Sequence, residues 1–130
     1  MRSESTIMKD LIAGDLIIEV RKAEPPAPLV LVWRGKSIAR QPSQVLNPFF
    51  KEGLELARTQ SQALRMHFEE LEFFNSSTIT SLIQLIQDAE AQRVPLTLCY
   101  RPSIRWQKMS IDALKIFVRP GGVLSIEGVP

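Results

Sequence analysis

At 130 residues and 14.7 kDa, with 45% apolar and 23% charged residues, the chain has the composition of one ordinary globular domain whose core needs no disulfide or metal. Sixteen basic residues against fourteen acidic ones leave a net charge of +2, which gives no bulk electrostatic ground for binding nucleic acid. No apolar run approaches the ~20 residues of a membrane span, Met1-Arg2-Ser3-Glu4-Ser5 leads into no signal-peptide core, and Cys99 is the single cysteine, so the expectation is a cytoplasmic protein with no membrane partner.

Residues 1–13 are polar and irregular and read as a flexible leader, leaving 14–130 as the domain. Leu16–Val20 reads as a first strand. The prolines of Ala23-Glu24-Pro25-Pro26-Ala27-Pro28 offer no ladder donors and make a connecting loop. Leu29–Trp33 is a second strand, antiparallel to the first, and Arg34-Gly35-Lys36-Ser37 is expected to turn the chain. That Gly-Lys-Ser lacks the upstream glycine of a phosphate-binding P-loop, since position 30 is Val.

From Pro42 the period lengthens. Val45, Leu46, Phe49, Phe50, Leu54 and Ala57 follow helical spacing, and Pro48 within the run is expected to kink or delay the helix. Ala63–Phe68 alternates as a strand, with Leu64, Met66 and Phe68 on one side and Arg65 and His67 on the other. Ile79, Leu82, Ile83, Ile86 and Ala89 mark a second helix. Leu96–Tyr100 is a strand, Trp106 to Phe117 a third helix, and Val123–Ile126 a last strand after Pro120-Gly121-Gly122. The order ββαβαβαβ implies an α/β fold: a mixed, mainly parallel sheet of four to five strands with helices mostly on one face. In such sheets function gathers at the carboxyl ends of the strands.

One such end carries Asn75-Ser76-Ser77-Thr78, directly before the second helix. Ser, Thr and Asn at this junction cap the free N–H groups of the first helical turn. They also set hydroxyls at the positive end of a helix dipole, where phosphate is electrostatically favoured. Glu69, Glu70 and Glu72 lie just upstream, and Arg101, Arg105, Lys108, Lys115 and Arg119 gather around the third helix. Both sets can steer a charged partner, though such faces are usually only solvated. Trp33 and Trp106 are expected in or against the core.

Catalytic constellations are lacking. There is no G-x-S-x-G elbow, one His and one Cys cannot make a zinc site, and His67 has no second base near it in sequence. No catalytic residue, metal or cofactor is expected. The remaining enzymatic reading, a small hydrolase or transferase, would need His67 within reach of Ser76 or Ser77.

Taken together, the strand, the Asn-Ser-Ser-Thr junction and the amphipathic helix within a ββαβαβαβ chain resemble a STAS domain, the fold of bacterial anti-sigma factor antagonists. Within that superfamily, Arg34-Gly35-Lys36-Ser37 before Pro42 and Phe49-Phe50, together with Leu71-Glu72-Phe73-Phe74-Asn75-Ser76-Ser77-Thr78, is similar to the SiaC-like branch over most of residues 16–118. Departures are Lys36 in place of Arg, Ser76 in place of Thr after the Asn, Ile38-Ala39-Arg40-Gln41 without the branch's early proline and acid, and a poorly matching C-terminal third. The resemblance implies a non-catalytic partner-switching protein. In it a Ser/Thr kinase phosphorylates the hydroxyl after the Asn, a phosphatase reverses this, and the unmodified form binds a target, either an anti-sigma factor-like kinase or a diguanylate cyclase. By position Ser76 is the implied acceptor, with Ser77 and Thr78 in reserve, and Asn75, Ser76, Ser77, Glu72 and Glu70 form the implied partner surface. The alternative is a STAS-like scaffold or small-ligand module that is never phosphorylated.

Overall fold

The computed structural model describes residues 8–130 and is α/β: seven strands in one mixed sheet and three α-helices. Strands β1 (Leu11–Ala13), β2 (Leu16–Arg21) and β3 (Leu29–Ser37) form an antiparallel run, with Ala13 opposite Leu16 and Leu16 opposite Gly35. Helix α1 (Ser43–Thr59) follows, then β4 (Leu64–His67), β5 (Leu71–Phe74) and α2 (Ser76–Gln92). The chain closes with β6 (Leu96–Tyr100), α3 (Arg105–Asp112), a 3-10 turn at Ala113–Phe117 and β7 (Leu124–Gly128). The sheet order is β1-β2-β3-β4-β6-β7, with β5 beside β3. Long β3 thus has two parallel neighbours in line: β4 along its first half and β5 along its second.

Period-2 patterning explains the two faces. Leu29, Leu31 and Trp33 of β3, Leu64 and Met66 of β4, and Leu96 and Leu98 of β6 are buried in one cluster with Leu46, Phe50, Leu54 and Ala57 of α1 and Leu82, Leu85, Ile86 and Ala89 of α2. At about 1.5–3 kcal/mol for each large side chain removed from water, this cluster is the main term holding the helices to the sheet. Trp33 is fully buried at its centre, 5.0 Å from the Phe68 ring and 6.0 Å from that of Phe50. Trp106 packs against Phe74 at 5.0 Å, half-buried. The intervening strand positions face away from the helices and carry an ion-pair ladder: Arg34 to Glu19 and Glu70, and Arg65 to Glu127.

Several details differ from the sequence expectation. The sheet has seven strands where four to five were expected, because β1 is too short to show a period and β5, Leu-Glu-Phe-Phe, does not alternate. The leader boundary at residue 13 also moves. Residues 1–7 lie outside the described residues, but Met8 is buried, the Asp10 carboxylate accepts from the Val20 N–H at 2.7 Å, and Leu11–Ala13 pairs with β2. A two-residue loop, Gly14-Asp15, with Gly14 at φ +60°, makes that hairpin possible.

Arg34–Ser37 is strand and not turn: β3 runs on to Ser37, with a register shift between Gly35 and Lys36 against β5. Gly35 sits at φ +83°, and any Cβ there would collide with the Asp15 carbonyl oxygen, so the position admits only glycine without rearrangement. Pro48 does not delay α1, which starts at Ser43 and continues through it. The missing N–H forfeits one helical bond and costs ~3 kcal/mol. The burial of Leu46, Phe49, Phe50 and Leu54 exceeds that severalfold.

Because β3, β5 and β6 run parallel, their carboxyl ends share one edge of the sheet, and the chain enters α1, α2 and α3 from there. No helix among the described residues is long and apolar enough to cross a membrane.

Candidate functional site

The α2 N-terminus is built from two chain segments. Asn75 is its N-cap, in extended backbone, and its Oδ1 accepts from the Thr78 N–H at 3.0 Å and the Thr78 hydroxyl at 2.9 Å. The other half of that amide reaches across: Nδ2 donates to the Ala39 carbonyl at 3.0 Å, while the Asn75 N–H donates to the Ser37 carbonyl at 3.0 Å. The Ser37 and Thr78 hydroxyls meet at 2.7 Å. Either hydroxyl can donate in that pair, and the Thr78 hydroxyl also lies 3.3 Å from the Ser37 carbonyl. Four hydrogen bonds therefore lock the end of β3 and the residues just after it to the start of α2.

This lock sorts the three hydroxyls. Thr78 is fully buried and saturated, which removes it as a reserve modification site: a kinase reaches it only in an opened chain. Ser77 is half-buried. Ser76, the first helical residue, is exposed, and its Oγ bonds to nothing among the described residues. The N–H groups of Ser76 and Ser77 precede the helix's own acceptors and remain available. No acidic residue lies in the first turn.

The glutamates diverge. Glu72 is exposed on β5, one strand residue-pair from Asn75. Glu70 is held by Arg34, 2.9 Å away, on the sheet face opposite α1 and α2, so it does not join the α2 N-terminus. Its pairing with a residue 36 positions earlier had no sequence signal. His67 is bound on that same face, to Glu69 at 3.0 Å and Arg65 at 3.2 Å; neither Ser76 nor Ser77 is among its partners.

Two concavities flank the segment Ile38–Pro42. One is an open cleft of about 650 Å³ between the β1–β2 turn, the end of β3 and the start of α1, lined by Leu16, Lys36, Ile38 and Val45 among others. The second is a polar groove of about 400 Å³ between the starts of α1 and α2, reached by Arg40, Ser77 and Ser81. Sequence reading did not single out Arg40, Asn47 or Ser81. Ser77 and Ser81, four residues apart, share a helix face, and that spacing was the available signal.

Electrostatics elsewhere follow ion pairing. Hydrogen bonds from Lys108, and then Lys115, hold the Asp112 carboxyl down at about 2. Glu90 is lowered chiefly by the Val123 N–H, which it accepts at 2.9 Å. Burial pushes the Cys99 thiol up to about 11. No group of three or more potential metal ligands occurs among the described residues. In sequence, the chain matches no family model and no curated protein.

Proposed function

We propose that this protein is a phosphorylation-controlled binding module of the partner-switching type, with Ser76 as the acceptor and a regulatory protein as the target. The observation that carries the reading is the exposed, unengaged Ser76 hydroxyl at the first position of α2, with Asn75 and Thr78 fixing the backbone behind it. A phosphate there adds about −1.5 to −2 charge. The helix dipole and the free N–H groups accommodate it without unfolding, so modification alters the surface and spares the core. Exposed Glu72 nearby adds to the negative field a partner then meets. The resemblance to STAS domains supplies the kinase, the phosphatase and a target resembling an anti-sigma kinase or a diguanylate cyclase.

The test is affinity capture with wild type, Ser76→Ala and Ser76→Asp, together with mass-spectrometric mapping of the protein purified from its own cells. Ser76→Asp is expected to weaken target retention at least about tenfold, roughly 1.4 kcal/mol, at unchanged thermal stability, while Ser76→Ala retains the target and escapes regulation. Phosphate on neither Ser76 nor Ser77 would sink the switch. The second reading, a passive small-ligand module, is favoured by the cleft beside β3, whose volume suits a small molecule.

A further inference from the structure

The polar groove between α1 and α2 has a composition that its surroundings do not explain. Among the described residues one exposed cation, Arg40, lines it, and no carboxylate does. Arg40 makes no ion pair among the described residues. Both helices begin at the groove, α1 at Ser43 and α2 at Ser76, and neither has an acidic residue in its first turn. The α1 N-cap is Pro42, whose side chain caps nothing. Two helix N-termini without an acidic residue thus meet beside a guanidinium that has no ion pair among the described residues.

The groove wall adds an independent sign. Ser81 is 2% exposed, and its Oγ has no hydrogen-bond partner among the described residues. A serine inside a helix ordinarily satisfies its hydroxyl on the carbonyl four residues back; Ser81 leaves that bond unmade and lines the groove. Asn47, across on α1, likewise has an unpartnered, buried Oδ1. A half-turn of that amide would present its NH₂ instead. Folded proteins seldom leave two such groups unpaired at one place without a use for them.

We infer that this groove is a binding site for a phosphate-type oxyanion. Arg40 supplies the charge, the hydroxyls of Ser77 and Ser81 and the turned Asn47 amide supply neutral donors, and the two helix ends supply the field. The phosphate can be a small free phosphate ester or the phosphoryl group of a phosphoserine at position 77, in the same chain. The site stands whether or not Ser76 is modified.

The experiment is an amide-resolved NMR titration of the full chain with inorganic phosphate, with chloride as the ionic-strength control. Saturable shifts confined to residues 40–47 and 76–84 are expected, the Asn47 side-chain amide among them. Affinity should fall at least tenfold in Arg40→Gln and be unchanged in Lys22→Gln, which removes an equal charge elsewhere. Ser81→Ala should weaken binding about threefold while leaving the melting temperature unchanged or raised, since it deletes an unpartnered hydroxyl. Phosphoserine installed at position 77 identifies the source. If the bound-state shifts are already present and added phosphate does nothing, the ligand is the chain's own phosphoryl group; if titration proceeds as in wild type, it is a free ester. Shifts that do not saturate, that chloride reproduces, or that survive Arg40→Gln would overturn the inference.

Discussion

Removing the Thr78 hydroxyl tests the lock at the α2 N-terminus directly. Thr78→Val keeps the shape of the side chain, and Asn75 Oδ1 keeps its bond from the Thr78 N–H. What changes is that Ser37, 3% exposed, loses the hydroxyl 2.7 Å from its Oγ, and Asn75 loses one of two donors. A buried hydroxyl left without a partner costs about 1–3 kcal/mol, whereas replacing both partners by apolar groups is nearly neutral. Thr78→Val is therefore expected to cost about 1–3 kcal/mol, Ser37→Ala less because the Thr78 hydroxyl keeps Asn75 as its acceptor, and the double variant less than their sum, with a coupling of about 1 kcal/mol. Urea unfolding at constant m reads this as shifts in midpoint. Heating reads it as about 3–5 °C per kcal/mol for a chain of this size. A Thr78→Val cost under about 0.5 kcal/mol that simply adds to that of Ser37→Ala would mean that no buried hydroxyl pair exists here.

Gly35→Ala, placed at φ +83° against the Asp15 carbonyl, should cost at least about 2 kcal/mol. Gly14→Ala, at φ +60° with open space around it, should cost only about 1 kcal/mol; equal costs in chemical denaturation would discount the collision. The Cys99 thiol, buried and raised to about 11, should resist alkylation at pH 8 in the folded protein and react fully in denaturant. For Asp112 the folded value lies below the unfolded one, so its contribution is fully present above about pH 4 and is lost as pH falls toward 2. Asp112→Asn should accordingly flatten the stability profile across that window, as followed by circular dichroism, and an unchanged slope would refute the Lys108–Asp112–Lys115 arrangement.

Much of this architecture was legible because repetition reveals burial. The apolar stripes of α1 and α2 and the alternation of Leu64, Met66 and Phe68 follow directly from faces that meet the core. Strands β1 and β5 were not legible: three residues carry no period, and Leu71-Glu72-Phe73-Phe74 carries an extra residue, Glu72, opposite the Gly35–Lys36 step, which breaks its alternation. Asn75 as a cap could be read from residue types alone. Which hydroxyl it buries could not, because Thr78 is chosen by Ser37, 41 positions earlier. Likewise Arg34–Ser37 carried the signs of a turn, glycine and polar residues, but the glycine serves the close approach of Asp15 within a continuing strand.

A last feature concerns the gap between β4 and β5. Where β3's two parallel neighbours fail to join, Gln107 of α3, fully buried, donates from Nε2 to the carbonyls of Phe68 at 2.7 Å and Leu71 at 3.2 Å, and its Oε1 accepts from the Arg101 N–H at 2.8 Å. One side chain thus takes the place of a missing stretch of ladder. The middle of the sheet is consequently finished by a residue made near the end of the chain. As the polypeptide emerges, no length of it that stops short of Gln107 can close this break with the same groups, however complete its strands already are.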